Sequence, residues 1–251
     1  MEALDSRFAV SGAPLGGMAL GAHQMAGHPG DAASALLFAT LMIARRLKAD
    51  AAGQALIVQE HAVLSEGGGL YGPGLAALGL DPGRLVFVTA QDGAQALRMV
   101  DEAVRSGAVS VVLVELGRGA RLIDLPATQR FNLYGQQTST LTLLVTPNLD
   151  GASAAMTRWR VRSAPSSAPR RHLGPPILAL DLTRNRFGPV GQFTVEWSSD
   201  HGAFRLPKSL RAPVVRPSVH GPNPAGVNLA HSLASGLGAD AQGRLAANGG
   251  R

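Results

Sequence analysis

The most constraining feature of the sequence is a series of short, unbroken apolar runs, spaced by helix-length segments, that ends at Thr146. Val109 to Leu116 is mostly valine and leucine, Thr140 to Thr146 is rich in leucine and β-branched residues, and Ala55 to Gln59 and Leu85 to Thr89 are shorter runs of the same kind. Strands that read as continuous rather than alternating apolar runs are buried on both faces, as in a parallel sheet covered by helices. The intervening segments supply those helices. Ala32 to Leu47 is apolar almost all round, Tyr71 to Leu78 and Leu122 to Tyr134 are of helical length, and Gln95 to Arg105 sets Leu97, Val100 and Val104 at helical spacing. The expectation is an α/β fold with a parallel central sheet.

The pattern changes after Pro147. Met156 to Arg162, Ile177 to Asn185 and Gln192 to Ser198 alternate in polarity, and the last two, joined through Phe187-Gly188-Pro189-Val190-Gly191, predict an antiparallel hairpin. Ser163 to Pro176 is a Pro/Ser/Arg loop. The core is therefore expected over residues 1–210, with a parallel α/β part at 1–150 and an antiparallel strand extension at 151–210. Residues 211–251 hold few large apolar groups and are expected to form a Pro/Gly/Ala-rich disordered tail, with a weak helix at Asn228 to Leu237 as the alternative.

At 251 residues, with 45% hydrophobic and 16% charged side chains, the chain can bury a sizeable core. Cysteine is absent, which excludes disulfides, thiolate metal sites and cysteine nucleophiles. The longest apolar run, Ala32 to Ala44, stops at Arg45-Arg46 and is too short to span a bilayer. Acids stand at the N-terminus where a signal peptide needs bases, so a soluble cytoplasmic protein with no membrane contact is expected. The charge is uneven: residues 1–157 hold ten basic and thirteen acidic side chains, residues 158–251 thirteen and four. Only Lys48 and Lys208 among these are lysines, so the basic C-terminal third presents guanidinium forks, suited to DNA phosphates or an acidic partner, or simply a solvated surface.

A glycine loop between a strand and a helix is where an α/β sheet holds phosphate, because bare amides and the helix dipole converge there. Here the loop is Gly27-His28-Pro29-Gly30-Asp31, and Asp31 is a candidate helix cap. Laid on the pattern G-x-x-x-x-G-K-[ST] from Gly27, the sequence puts Ala32 at the second glycine, Ala33 at the lysine and Ser34 at the hydroxyl. Losing the lysine and adding Asp31 beside a triphosphate costs of the order of several kcal/mol. The loop is a degenerate Walker A, and nucleotide hydrolysis by it is not expected. No catalytic residue and no cofactor are assigned.

The phrases around this loop are specific. Gly16-Gly17-Met18-Ala19-Leu20-Gly21 resembles the hairpin leading into the P-loop of the recombinase RecA. Glu60-His61-Ala62 resembles the segment carrying RecA's catalytic glutamate, and Ala103 to Val109 running into Val111 to Glu115 resembles its helix and Walker B strand. Glu60 and Glu115 are thereby relic acidic positions, Glu60 read as a solvated strand-end residue and Glu115 as a structural acid. Asp181 to Trp197 resembles RecA's closing hairpin, so the likeness spans roughly residues 12–207 and implies a RecA-like core. Little of the arm by which recombinases hold a neighbouring subunit precedes it, which argues against filament assembly.

Within that superfamily, Met156-Thr157-Arg158-Trp159-Arg160-Val161 and Leu182-Thr183-Arg184-Asn185-Arg186 resemble the ImuA family, SulA-related proteins of bacterial mutagenesis cassettes. The resemblance implies a non-catalytic accessory protein, a pseudo-ATPase, in damage-induced (SOS) mutagenesis and translesion DNA synthesis. Its partners would be the polymerase-like protein ImuB, an error-prone DNA polymerase and RecA. An ATP-binding or hydrolysing RecA paralogue that modulates recombinase filaments, and a SulA-like cell-division inhibitor, are the alternatives.

Arg158, Arg160 and Arg162 share one face of a strand, and Arg170 and Arg171 follow in the loop. They are either a contact row for a partner or DNA, or the polar face of an edge strand. Trp159 and Trp197 fill the core edge or, alternatively, face a partner. Seven scattered histidines show no ligand spacing, so no metal site is expected, and no Gly-x-Ser-x-Gly elbow is present.

Overall fold

The computed structural model describes residues 18–166 and 174–207. These all lie within the unit Met1–Ser218. The tail expected at 211–251 and the helix at Asn228 to Leu237 are therefore outside the described residues, as are Arg170 and Arg171.

The described part is a mixed α/β fold built on one nine-stranded sheet in the order β3-β2-β4-β5-β1-β6-β7-β8-β9. The strands are β1 (Gly21–Gly27), β2 (Ala55–Glu60), β3 (Leu85–Ala90), β4 (Val111–Glu115), β5 (Leu141–Thr146), β6 (Thr157–Ser163), β7 (Ile177–Asn185), β8 (Gly191–Ser198) and β9 (Ala203–Arg205). The helices are α1 (Ala33–Ala49), α2 (His61–Gly67), α3 (Gly72–Ala77), α4 (Gly93–Ser106) and α5 (Leu125–Thr138). From β3 to β6 every neighbour is parallel. From β6 to β9 every neighbour is antiparallel.

Burial follows the sequence pattern. All six residues of β5 are buried, as are the first four of β4, because helices cover both faces there. On one face α1 packs Phe38, Leu41 and Ile43 with Met25, Leu113, Leu143, Trp159 and Leu180. On the other, Val100 and Val104 of α4 and Phe131 of α5 pack with Val58, Val112 and Leu144. The helix ends are locally encoded. Asp92 accepts from Gln95 N at 2.7 Å to cap α4, and Asp124 accepts from Ala127 N at 2.8 Å to cap α5. Gly107, at φ +66°, closes α4 in the left-handed region that glycine favours.

Several boundaries differ from expectation. The expected helix Leu122 to Tyr134 begins at Leu125, where the Asp124 cap sets its start, and a 3-10 turn, Arg118–Leu122, precedes it. The short helix α2 and strand β9 carry no sequence signal long enough to register. Among the described residues no helix is long and apolar enough to cross a membrane.

Candidate functional site

In open α/β sheets ligands bind beyond the carboxyl ends of the parallel strands, where neighbouring connections leave on opposite faces. The end of β1 is such a place: its exit runs to α1 on one face, whereas the exit of β4, two strands away, runs through a 3-10 turn to α5 on the other. The connection is a tight turn, not an open cradle. Asp31 N donates to His28 O at 2.8 Å, and Gly30, at φ +83°, makes the reversal. A Cβ on Gly27 would lie 2.4 Å from the Asp31 carbonyl oxygen and 2.6 Å from Ala32 Cα, so the turn sits directly on the strand end.

The turn is also stitched to β6. His28 N donates to Val161 O at 2.8 Å, and Ser163 N donates to the Asp31 carboxylate at 2.5 Å. The Asp31 side chain is thereby taken from the helix: α1 starts after Ala32 with no side-chain cap, which corrects the expected Asp31 cap. Ser34, at the hydroxyl position of the loop, is 2% exposed. Its Oγ donates to Asp31 O at 2.7 Å and to Val161 O at 2.9 Å. Ala33 is exposed and carries no group long enough to reach past the turn.

Glu60 is not a solvated strand-end residue. It is 6% exposed, and its Oε2 accepts from Gly117 N at 2.8 Å and Gly119 N at 3.1 Å. Burial is possible because these amides at the start of the 3-10 turn replace water around the carboxylate. Gly119 must be glycine for this packing, since a Cβ there would lie 2.5 Å from Gly93 Cα and 2.9 Å from Glu60 Oε2. Glu115, at the end of β4, accepts from Gln59 Nε2 at 2.7 Å, and burial raises its pKa above the usual carboxylate range. Gln59 and Glu115 are in-register partners, so they share a face, whereas Glu60, the next residue, turns to the other. The two acids are thus on opposite faces of the sheet.

The arginine row alternates as expected but is not on an edge. β6 pairs with β1 on one side and β7 on the other, which corrects the edge-strand reading. Strand order comes from long-range pairing, which alternation cannot express. Arg158 is half-buried, donates to Leu149 O and stands in register with Arg184. Burial, with Arg184 beside it, lowers its pKa from the ordinary arginine value. Arg160 and Arg162 are exposed and line an open groove of about 580 Å³ with His28, Asp181, Gln192 and Thr194.

Both tryptophans are core residues, so the alternative that they face a partner is overturned. Trp159 is 0% exposed, packs edge-on to Phe38 at 5.4 Å and donates Nε1–H to Thr157 Oγ1 at 2.7 Å. Trp197 is 1% exposed and donates to Leu78 O at 2.9 Å. His23 is buried on β1 between Thr157 Oγ1 and Ala19 O, each at 2.7 Å, and burial lowers its pKa to about 4. Among the described residues no group of three or more histidine, aspartate or glutamate side chains could hold a metal ion.

Sequence reasoning missed Asn132. Buried on α5, it accepts from Ala22 N at 2.8 Å through Oδ1 and donates to Ala154 O at 2.7 Å through Nδ2, joining β1 to the segment that enters β6. A polar residue at a helical position otherwise flanked by core residues, Phe131 and Gly135, was the available signal.

No protein-family model matches the chain. Two curated relatives, both called Protein ImuA, from two strains of Caulobacter vibrioides, are each 30% identical over 226 residues, covering 82% of this chain and 86% of theirs. The chain belongs to the ImuA family. Among solved structures, SulA from Pseudomonas aeruginosa is similar at 21% identity and a TM-score of 0.35, over 53% of this chain and 98% of that one. The T-R-W-R-V phrase that carried the ImuA resemblance is β6 itself, with Trp159 in the core and Arg160 on the open face.

Proposed function

We propose that this ImuA-family chain is a non-catalytic accessory protein of damage-induced mutagenesis and translesion DNA synthesis, with a RecA-like core whose Walker A loop is degenerate. It works in the cytoplasm by protein–protein contact, holding an ImuB-type polymerase-like protein and an error-prone DNA polymerase together, with RecA as a further partner. One observation supports the non-catalytic reading above all. Ser34, the one retained P-loop side chain, is buried with its hydroxyl on two carbonyls, beside an Ala33 that stands at the lysine position. A hydroxyl so engaged is not presented to a magnesium ion, and phosphoryl transfer depends on such positioning.

The test has two arms on the purified full chain. ATP binding and turnover are measured for the wild type and Glu60→Gln, and tagged wild type is co-expressed with the polymerase-like protein and the polymerase. No turnover with co-purification of the partners supports the accessory role. Turnover abolished by Glu60→Gln would replace it with the ATPase reading. Filamentous growth on overexpression, without co-purification, would replace it with the cell-division reading.

A further inference from the structure

We infer that the outward side of α5, with the adjoining ends of β6 and β7, docks an acidic amphipathic helix of a partner protein. This rests on the accessory role proposed above and assigns it a surface. Leu122, Leu125 and Leu133 are 42%, 41% and 54% exposed, although α5 has already buried Ala127, Phe131 and Gly135 against the sheet. Leu125, Gln129, Leu133 and Gln136 recur at intervals of four, four and three residues, so they form one stripe along the helix.

The stripe is one wall of a groove of about 280 Å³. Its other wall holds Met156 and the exposed arginines Arg184 and Arg186. Arg184 is held in place by donating Nη1–H to Ser153 O. Two cations and no carboxylate line the groove. A stripe of two exposed leucines alternating with glutamines, beside one tethered and one exposed guanidinium, fits a helix with leucine-type residues on one side and glutamate or aspartate along its margin.

Other occupants fit less well. A nucleic acid would engage the arginines but leave the leucines in water, and no aromatic side chain lines the groove for a base to stack on. A second copy of this chain meeting the surface about a two-fold axis would bring the same cations with no acid to pair them.

The experiment uses the full chain and fluorescence anisotropy. The probe is a short labelled peptide with leucine at i, i+4 and i+8 and glutamate elsewhere, beside a twin with lysine for glutamate and an oligothymidine strand. The glutamate peptide is expected to bind, and Leu133→Glu and the pair Arg184→Glu/Arg186→Glu are each expected to weaken it about tenfold or more. Arg160→Glu, on the neighbouring groove, is expected to leave it unchanged. The milder Leu133→Gln is expected to weaken binding in the same direction, and circular dichroism confirms the fold of each variant.

Failure of the glutamate peptide to bind, equal binding of the lysine twin, or binding unmoved by the variants would overturn the assignment. So would oligothymidine binding that the same variants abolish. Co-purification separates this failure from that of the accessory role. Partners retained equally by wild type and Leu133→Glu sink this surface alone, whereas no partner on wild type sinks the accessory role.

Discussion

Ser34 donates its hydroxyl to the carbonyl oxygen of Val161 at 2.9 Å, and this bond fastens the first turn of α1 to β6. The same hydroxyl donates to Asp31 O. Both acceptors keep another donor when the hydroxyl is removed: Val161 O accepts from His28 N, and Asp31 O from Ser34 N. Ser34→Ala is therefore expected to cost only about 1 kcal/mol, the net worth of a buried neutral hydrogen bond. Urea unfolding measures it, and a loss several times larger would mean that the turn itself depends on Ser34.

Gly27 is under a harder constraint. Its φ lies outside the positive region, so only space is at issue, and the space a methyl needs is taken by backbone: Asp31 O at 2.4 Å and Ala32 Cα at 2.6 Å. Backbone atoms cannot rotate aside as a side chain can. Gly27→Ala is expected to destabilise by about 1–3 kcal/mol, the usual range for forcing an extra carbon into a packed site. Gly30→Ala meets no atom within 4 Å and differs only through its φ of +83°, so it is expected to cost about 1 kcal/mol. Thermal unfolding of the two variants side by side gives the order.

Glu60 holds the half-buried amide of Gly117 and the buried amide of Gly119, which would otherwise lose this acceptor. Glu60→Ala leaves both unpaired and is expected to cost about 2–4 kcal/mol, whereas Glu60→Gln keeps a carbonyl oxygen in place and is expected to cost roughly half that. The measurement is equilibrium unfolding, with amide exchange at Gly117 and Gly119 as the local readout. Equal stability of wild type and Glu60→Ala would show that these bonds contribute nothing.

These positions mark where the sequence was legible. β4 and β5 could be read because each residue of Val111 to Val114 and Leu141 to Val145 is buried by its own local pattern. The alternation at β6 gave the correct inward set, Trp159 and Val161, and the exposed Arg160 and Arg162. Its place in mid-sheet was illegible, because pairing with β1 joins residues more than a hundred positions apart. Glu60 was misread for a related reason: its partners are backbone amides of Gly117 and Gly119, and an amide is the same in every residue but proline. Gly117-Arg118-Gly119, just after the valine- and leucine-rich run Val109 to Leu116, was the one trace of it. The α5 stripe was hidden because leucine at helical spacing reads as core, and only the packing shows which leucines the sheet covers.

His23 couples stability to pH. Burial holds its folded pKa at about 4, below the ordinary 6.5, so the unfolded chain takes up a proton that the folded chain refuses. The stability this residue permits is complete above about pH 6.5 and falls as pH drops through about pH 4, a loss of roughly 3 kcal/mol at the converted scale. Carboxylates titrate in part of the same window, so the comparison is with His23→Gln. That variant is expected to be less stable at neutral pH, through altered bonds to Thr157 and Ala19, and to show a flatter decline from pH 6.5 to 5. Parallel declines in the two proteins would place the pH dependence elsewhere.

Asn132 serves two buried backbone groups at once, accepting from Ala22 N and donating to Ala154 O. At neutral pH an asparagine amide both donates and accepts from its two ends without charge, which an ionised aspartate of the same length cannot do. Asn132→Asp keeps the acceptor for Ala22 N but sets a second oxygen against the Ala154 carbonyl, in a site 7% exposed, where ionisation is costly. Asn132→Ala loses both bonds and leaves a cavity between α5 and β1, beside Gly21, where a Cβ would lie 2.8 Å from Asn132 Oδ1. Asn132→Ala is expected to cost about 2–4 kcal/mol. For Asn132→Asp the loss is expected to shrink as pH falls and the carboxyl protonates, because the acid form restores a donor toward Ala154 O. Unfolding at neutral and acidic pH decides it: a pH-independent deficit in Asn132→Asp would show that Ala154 O does not depend on that donor.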